Sequence, residues 1–382
     1  MDIATISATD STTVFERDDE VPGRVAALVP WMQQRAGKLD AEAAFPTREI
    51  VALHTAGALS MALPVEEEPS PVETPEARAD RLAAVLVQVG RGNLAVGRIL
   101  EAHINARHLI ARHGSASQRH AAARDSLDGE LFALWMTDPP EGGLRMATTS
   151  RGIRLTGRKM FCSAAGAATR ALVMAANASG EAQMLVVPLN IGECVEPFAA
   201  PLQGMRAAVT GTVDFTGCVL DGDACVGQPG DYMREPDFSA GAWRSSAVAL
   251  GGLCAMLALA QTQLGTTNRL ADPHQLQRLG SAMIACETSR LWLRQAARTA
   301  EQPGADPDHV VAYVGLARIA IEMACLDAMR LVQRSLGLSA FRQGSPVERI
   351  CRDLGTYLRQ PAPDEVLTDA AAYFARRPVC QR

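Results

Sequence analysis

The apolar side chains of this chain change their spacing twice, which limits the folds that it can adopt. From Pro22 to about Ser126 they recur every three or four residues, as in a helix that buries one face. From about Leu131 to Phe215 they alternate in short runs divided by Gly, Pro and Asp, as in the strands of a small barrel or sandwich. From Asp237 onward the helical period returns. We therefore expect helices, then strands, then helices again.

Composition is consistent with a mainly helical α+β fold around a large core. Of the 382 residues, 48% are hydrophobic but only 4% aromatic, so the core must consist mainly of Ala, Leu, Val, Met and Ile. We predict a flexible tail (1–20), an N-terminal helical domain (21–128), a central small β-barrel or sandwich (129–232) and a C-terminal four-helix bundle (233–382). The bundle helices are long and joined by short connections, and they are predicted at Ala242–Gln263, His274–Glu301, Asp308–Gly337 and Pro363–Ala375.

Charge and cysteine spacing argue against several classes of function. The formal net charge is −5 and no basic stripe is interleaved with aromatic residues, so we expect no nucleic-acid binding. None of the nine cysteines forms a Cys-x-x-Cys pair and the seven histidines complete no ligand set, so no metal site is predicted. Scattered thiols and an N-terminus without a signal-peptide pattern indicate a cytoplasmic protein. The longest apolar run, Ala247–Ala260, suits a buried helix better than a membrane span.

One stretch of the β region, Gly152–Ala175, combines a tight turn with a run of very small side chains. Gly157 can take the positive φ that such a turn requires. Ala164–Ala168 contains only Ala and Gly, which lets the backbone approach a flat ligand closely. Taken alone, the stretch is equally compatible with a buried hairpin in which Phe161 is a plain core residue and Ser163 caps a turn.

The spacing Gly-x-Lys-x-Phe-x-Ser-x-x-Gly over Gly157–Gly166 resembles the flavin-contacting hairpin of the acyl-CoA dehydrogenases. In that family an aromatic and a small hydroxyl residue, two positions apart, lie against the flavin ring. Phe161 and Ser163 occupy those places. Trp135–Pro139 resembles the segment that enters the family's first flavin-contacting turn. The resemblance implies that this segment also contacts the flavin, through Trp135, Met136 and the hydroxyl of Thr137.

The resemblance extends along nearly the whole chain. Gly204–Phe215 and Cys225–Gly230 are similar to later parts of the family's β domain, and Pro346–Asp353 closely matches an ion-paired corner. The family binds FAD and completes that site between subunits, which implies a homodimer or a homotetramer. The residues that would contact the FAD diphosphate are Arg269, Gln275, Gln333 and Gly337. Where the family has paired glycines, Gly337 stands alone, and an ordinary helix C-cap explains it equally well.

The resemblance implies that an acyl-CoA is oxidised, with a hydride passing to flavin N5, a carboxylate removing the α-proton, and an electron-transfer flavoprotein as a possible electron acceptor. The Glu that is this base in many members corresponds to Pro361, and the alternative position, Ala242–Arg244, also lacks a carboxylate. Asp364 is our candidate for the base, with Glu365 beside it. The Gly-Ser-Asp segment that touches CoA in the family is replaced by Glu141–Arg145.

Two other functions are left open. A flavin-dependent monooxygenase on the same fold needs no Glu at that position, because reduced flavin and oxygen do the chemistry. A catalytically degenerate relative would have kept only the fold. The otherwise apolar helix pattern Leu94–His113 also carries polar residues. They belong either to a partly exposed face with satisfied side chains, the interpretation we favour, or to the substrate pocket: Glu101, His103, Asn105 and His108.

Overall fold

A computed structural model of the protein describes residues 20–61, 74–198 and 201–377. The predicted tail thus lies outside the described residues, apart from Glu20. The order of helices, strands and helices is confirmed. In the first third, the described residues form α1 (Val21–Glu42), α2 (Thr47–Thr55), α3 (Pro75–Gly92), α4 (Leu94–His113) and α5 (Ala116–Leu127).

Short strands fill the middle of the chain: β1 (Phe132–Trp135), β2 (Arg145–Thr149), β3 (Gly152–Thr156), β4 (Arg158–Cys162), β5 (Arg170–Ala176), β6 (Ala182–Pro188), β7 (Val195–Pro197), β8 (Gly211–Asp214), β9 (Val219–Leu220) and β10 (Cys225–Val226). Helices follow: α6 (Asp237–Ala240), α7 (Ala242–Thr266), α8 (Pro273–Glu301), α9 (Pro307–Leu336), α10 (Pro346–Tyr357) and α11 (Pro363–Ala375).

The described strands form two sheets. The larger has the order β10-β6-β5-β2-β3-β9, with β1 added parallel to β5, and the smaller has the order β4-β8-β7. Strand β2 was not among the strands predicted from the sequence. Its side chains are exposed or half-buried, so they show no alternation of buried and exposed positions. It forms because it pairs antiparallel with β3 along its whole length.

Polar residues at the N-termini of three long helices explain where those helices begin. The Asn93 side chain accepts a hydrogen bond from Ala95 N at 2.9 Å and starts α4. Asp272 and Asp306 cap α8 and α9 in the same way, each followed by a proline in the first turn. A side-chain acceptor at this position satisfies backbone N–H groups that have no partner within the helix.

Pro346–Tyr357 forms a helix, α10, that adds to the four helices predicted for the C-terminal bundle. It joins three parts of the chain. Arg352 pairs with Asp40 on α1 at 2.6 Å. Asp353 accepts a hydrogen bond from the backbone N of Met205, in the β region, also at 2.6 Å. The ion-paired corner predicted from the sequence is therefore confirmed, and it lies on a helix.

The N-terminal and C-terminal helices meet at backbone contact where α3 crosses α7. A Cβ atom on Gly90 would lie 2.2 Å from Val248 O, and one on Gly251 would lie 2.2 Å from Val87 O. Only glycine permits such an approach. One cluster of buried apolar side chains accordingly runs from the N-terminal helices through the sheets to the C-terminal helices.

Two helical segments have the length and hydropathy of a membrane span, Asp237–Thr266 and Pro307–Phe341. Within the most apolar window of the first, 67% of the residues are buried in the protein, as in the core helix of a globular fold. In the second this share is 39%. Large apolar side chains of α8 and α9 are exposed among the described residues, including Met283, Ile284, Leu291 and Met323.

Candidate functional site

Hydrogen bonds hold the loop after β1 against strand β4. The indole Nε1 of Trp135 donates to the carbonyl oxygen of Ser163 at 2.9 Å. The backbone N of Met160 donates to Thr137 O, also at 2.9 Å. The cofactor residues that the resemblance suggested on these two segments therefore lie side by side. We refer to Trp135, Met136, Thr137, Phe161 and Ser163 as the hairpin site.

The ammonium group of Lys159 fixes this loop in place. The Lys159 side chain is fully buried, and its Nζ donates to Met136 O at 3.1 Å and lies 2.7 Å from Asp138 Oδ1. Burial lowers the pKa of Lys159, and the hydrogen bond and charge of Asp138 oppose that shift. An unpaired buried charge is costly. The buried ammonium group therefore stabilises the loop conformation that places Met136 O and Asp138 Oδ1 next to it.

Phe161 adopts a backbone conformation that is rare for a residue other than glycine. Its φ is 55°, in the left-handed region. The pairing of β4 with β8 shifts register between Lys159 and Cys162, and such a bulge re-aims a side chain. Phe161 is 49% exposed, and its ring lies edge-on to that of Phe198, with 5.4 Å between ring centroids. The alternative that Phe161 is a plain core residue is therefore wrong.

The two hydroxyl residues of the hairpin site differ in their surroundings. Thr137 is exposed, and its hydroxyl group makes no hydrogen bond to the rest of the described chain. Ser163 is buried, and its Oγ accepts a hydrogen bond from Arg98 Nε at 3.4 Å. One hydroxyl is thus open to a ligand, and the other is tied to a cation on α4.

A cavity of about 720 Å³ lies between α4, the start of α7, and helices α9 and α11. Leu134, the neighbour of Trp135 on β1, lines it. Its polar lining includes Glu101, Asn105 and His108 from α4 and Arg244 and Ser245 from α7. The volume is in the range of small-molecule sites.

A chain of hydrogen bonds connects the hairpin site to the wall of this cavity. From Ser163 it passes through Arg98 to Glu101, whose Oε2 lies 2.6 Å from Arg98 Nη1. Glu101 Oε1 accepts from Asn105 Nδ2 at 2.5 Å, and Asn105 Oδ1 accepts from Arg244 Nη1 at 2.9 Å. The chain ends at Glu301, which pairs with Arg244. We refer to these six side chains as the polar chain. The groups alternate between donors and acceptors, so they fix one another's orientation.

Arg244 ends this chain in a buried ion pair. Its Nη2 lies 2.6 Å from Glu301 Oε1 and 3.3 Å from His108 Nδ1. Burial, followed by the charge of Arg244, lowers the pKa of His108 to about 4, so this imidazole is neutral near pH 7. Burial opposes ionisation of Glu301, but Arg244 and His108 together hold its pKa below the ordinary value.

His103 has a structural role instead. It is fully buried, its Nε2 lies 2.8 Å from Leu59 O, and its Nδ1 accepts a hydrogen bond from Phe132 N at 3.1 Å. Burial lowers the pKa of His103 to about 3. The polar residues predicted on this helix thus divide: Glu101, Asn105 and His108 line the cavity, and His103 joins α4 to β1.

Both positions at which the resembled family carries its base lie on the cavity wall, and neither bears a carboxylate. Pro361 lines the cavity, and so does Arg244 with Ala242. The predicted base, Asp364, is exposed in the first turn of α11 and is not among the lining residues. Glu365, the next residue, does line the cavity.

Acidic side chains dominate the outer part of the cavity. Four exposed carboxylates line it: Glu235, Asp308, Glu365 and Asp369. The guanidinium groups among its lining residues belong to Arg244, which is paired with Glu301, and to Arg318, which donates to Pro361 O at 2.6 Å. The opening therefore carries net negative charge.

The residues suggested for the FAD diphosphate lie in the C-terminal helices. With its amide oriented to match its neighbours, Gln275 accepts at Oε1 from Arg269 at 2.6 Å and from Arg278 at 3.1 Å, and donates to Ser335 at 3.1 Å. Two cations thus converge on one amide. Gln333 is half-buried on the same helix as Ser335.

Gly337 ends that helix with a φ of 62° and donates its backbone N–H to Gln333 O. A Cβ atom there would meet no described atom within 4 Å. The left-handed conformation explains the glycine as a helix terminus. Its contact with FAD stays a prediction.

The two cations of the polar chain, Arg98 and Arg244, and its acid Glu301 were not predicted from the sequence as site residues. Arg98 and Glu101, three residues apart on a helix with an otherwise apolar face, were a signal for a buried ion pair. Glu301 offered none, because it lies 57 residues from Arg244 and only the packing of α7 on α8 brings the two together.

The groups of the hairpin site fit a flavin ring. An exposed aromatic ring, an open hydroxyl group and a rigid backbone suit a flat heterocycle with an apolar face and polar edges. In and near this site, four residues other than glycine have a left-handed φ: Phe161, Ala164, Met205 and Val209. Such strain is typical of ligand sites.

Comparison with known proteins supports the fold. Residues 246–359 match the family model "Acyl-CoA dehydrogenase, C-terminal domain". No curated protein sequence matches. Among solved structures, KijD3 with FMN and dTDP-3-amino-2,3,6-trideoxy-4-keto-3-methyl-D-glucose is 19% identical, with a TM-score of 0.80 over 97% of this chain and 96% of that chain.

Glutaryl-coenzyme A dehydrogenase in its glutaryl-CoA complex is 18% identical, with a TM-score of 0.79 over 97% of this chain and 98% of that one. Dibenzothiophene monooxygenase (TdsC) from Paenibacillus sp. A11-2 is 16% identical, with a TM-score of 0.76 over 94% and 98%. The resemblance noted in the sequence is thus confirmed for the fold: this chain has the fold of the acyl-CoA dehydrogenases.

Proposed function

We propose that the protein is a flavin-dependent oxidoreductase, and that its reaction is the monooxygenation of a small molecule bound in the 720 Å³ cavity. The flavin would rest on the hairpin site, with Thr137 donating a hydrogen bond to its edge. Bound flavin supplies electron transfer and, when reduced, the activation of oxygen. TdsC, a monooxygenase of this fold, has been solved with FMN.

The observation that carries this proposal is a cavity without a base at Pro361 or at Arg244, both of which line it. Dehydrogenation of an acyl thioester needs a carboxylate within about 3 Å of the α-proton. Monooxygenation needs no such group. It needs a pocket that orients the substrate and limits water, and the Glu101–Asn105–Arg244 part of the polar chain supplies a fixed wall for one.

The charge of the opening also favours a substrate other than an acyl-CoA. CoA carries several phosphate charges, and four exposed carboxylates line the outer cavity. Each pair of like charges costs about 1 kcal/mol at 4 Å in water and more near a protein surface. We therefore propose a neutral or cationic substrate.

The test supplies reduced flavin from a flavin reductase, ¹⁸O₂ and indole, a neutral compound that was solved in complex with TdsC. We expect an indole product that contains ¹⁸O, formed only with the protein and oxygen. The same protein is titrated anaerobically with acyl-CoAs of different chain length. Bleaching of the flavin by any of them, without oxygen incorporation into indole, would contradict monooxygenation and favour the dehydrogenase.

Acyl-CoA dehydrogenation is the second candidate, because Glu365 lines the cavity next to the predicted base Asp364. If it is the reaction, the variant that lacks the base should bind flavin but fail to bleach with acyl-CoA. Asp364→Asn and Glu365→Gln form a matched pair for this comparison. An electron-transfer flavoprotein would then be the electron acceptor.

For the cofactor we propose FAD. It is supported by Arg269 and Arg278, which meet at Gln275 and would face the diphosphate of an FAD bound by a second copy. KijD3 and TdsC contain FMN, so the two flavins must be compared directly. Arg269→Met should weaken FAD binding and leave FMN binding unchanged. An equal effect on both would favour FMN.

The remaining assignments stay predictions. A homodimer or homotetramer would cover the exposed apolar side chains of α8 and α9, such as Ile284 and Leu291. Light scattering after size-exclusion chromatography measures that state directly. A cytoplasmic location stays a prediction as well.

A further inference from the structure

Two cysteines lie in contact between α7 and α8. The Sγ atoms of Cys254 and Cys286 are 3.5 Å apart, and both residues are half-buried. The sequence indicated only scattered, reduced thiols, because 31 residues separate this pair. A disulfide has an S–S distance of about 2.05 Å, so the two sulfur atoms must come closer together to form one.

We propose that Cys254 and Cys286 are a thiol pair that a peroxide oxidises to a disulfide, joining α7 to α8. The contact distance, the partial exposure and the charges around the pair carry this inference. It does not rest on the proposed flavin chemistry, although an oxygen-using flavin enzyme releases hydrogen peroxide whenever reduced flavin reacts without substrate.

The surroundings make the two thiols unequal. The two thiols share a hydrogen bond that Cys286 donates when Cys254 is ionised, and Arg290 and Arg91 place positive charge near the Cys254 sulfur. These effects lower the pKa of Cys254 to about 7 against the opposing effect of burial. The pKa of Cys286 is raised, first by the same hydrogen bond and then by burial. Since thiolates are the nucleophiles, Cys254 attacks and Cys286 resolves.

The two steps balance. The Cys254 thiolate attacks one oxygen atom of the peroxide, the O–O bond breaks, and Cys254 becomes a sulfenic acid while the second oxygen leaves as water or an alcohol after taking up a proton. The Cys286 thiol then attacks the Cys254 sulfur, the S–O bond breaks, and water leaves with the thiol proton. Overall, two thiols lose two electrons to one peroxide molecule.

The bond would link the helices that hold the buried ion pair of the cavity wall. Arg244 lies on α7 and Glu301 on α8, at 2.6 Å from each other. Oxidation would therefore restrict the relative movement of the helix that lines the cavity and the helix that supports its cation.

The test treats the reduced full-length protein with hydrogen peroxide, blocks remaining thiols, and maps disulfides by mass spectrometry. We expect a Cys254–Cys286 crosslink that dithiothreitol removes. In Cys286→Ser, dimedone should label a sulfenic acid at Cys254. In Cys194→Ser, the matched control at an exposed cysteine, the crosslink should form as in the wild type.

Arg290→Met tests whether the positive charge of Arg290 activates Cys254. Loss of the cation should slow oxidation of Cys254 at pH 6, by up to about tenfold for each unit by which its pKa rises. The proposal would be overturned if Cys254 reacted no faster than Cys194 in the wild type, or if the crosslink did not form. Neither outcome depends on flavin binding, so it leaves the proposed function unaffected.

Discussion

Replacing Arg244 by methionine should destabilise the protein strongly. The Arg244 and Glu301 side chains are 4% and 9% exposed and lie 2.6 Å apart. Methionine fills much of the same volume but leaves the Glu301 carboxylate buried without its counter-charge. Breaking a buried pair in this way costs about 3–5 kcal/mol of unfolding free energy. The Asn105 and His108 contacts of Arg244 are lost as well.

A double-mutant cycle separates the pair from its surroundings. The double variant Arg244→Met with Glu301→Leu removes both charges, so the desolvation penalty disappears with the attraction. It should be more stable than Arg244→Met alone, because no buried charge is left unpaired. Arg290→Met is the matched surface control. Its partner Glu287 is at 2.6 Å, but both side chains are more than half exposed, and such pairs contribute about 0–1 kcal/mol.

The pH dependence gives an independent check. In the wild type the pKa of Glu301 is lowered, so its stabilising contribution is present above the unfolded pKa and is lost as pH falls through the folded one. Without Arg244, burial raises that pKa, and the folded variant then takes up a proton that the unfolded chain does not. The loss of unfolding free energy caused by Arg244→Met should therefore become smaller as the pH falls from about 7 to about 5.

His108 acts in the same direction. The charge of Arg244 contributes to its lowered pKa, so the variant lets this imidazole protonate beside Glu301 at a higher pH. Urea unfolding, monitored by circular dichroism, measures the unfolding free energy of each variant at each pH. Two results would refute the view that each charge of this buried pair depends on the other. One is a loss of unfolding free energy below about 1 kcal/mol in Arg244→Met, and the other is a loss that stays constant with pH.

Three further predictions concern the hairpin site and the cavity. Lys159→Met should weaken flavin binding about tenfold or more in a fluorescence titration, because the loop after β1 loses its buried anchor; an unchanged affinity would contradict that role. Gly157→Ala should lower the unfolding free energy by about 1–3 kcal/mol, because φ is 108° and the new Cβ atom would lie 2.4 Å from Gly143 O; a neutral thermal shift would argue against it. Asp364→Asn should leave steady-state turnover unchanged while Glu101→Gln reduces it, because Glu101 lines the cavity and Asp364 does not; the reverse order would favour Asp364 as the base.

Much of the fold was determined by local features that can be read along the chain. The change from helical to alternating spacing marked the sheet region, since side-chain periodicity depends only on neighbouring residues. The positive φ of Gly157 was predicted from the turn and is confirmed. Strand β2 and helix α10 were not predicted. The side chains of β2 show no alternation, and those of α10 had been interpreted only as a corner.

The site was predictable where it depends on short spacings. Phe161 and Ser163 are two residues apart, and their proximity to Trp135 and Thr137 followed from the resemblance to a family with the same hairpin. Hydrogen bonds in the structure join these segments as expected. Their contact with flavin stays a prediction.

Only the tertiary structure decided what surrounds that hairpin. The left-handed conformation of Phe161 depends on the bulge against β8, and the Arg244–Glu301 pair depends on how α7 packs against α8. The same packing brings Cys254 to Cys286. The spacing of side chains along the sequence does not show which residues 30 to 140 positions apart come into contact. Local patterns determine each helix and strand. Contacts between distant polar groups depend on how the apolar faces pack together, and that packing also defines the cavity and its charge.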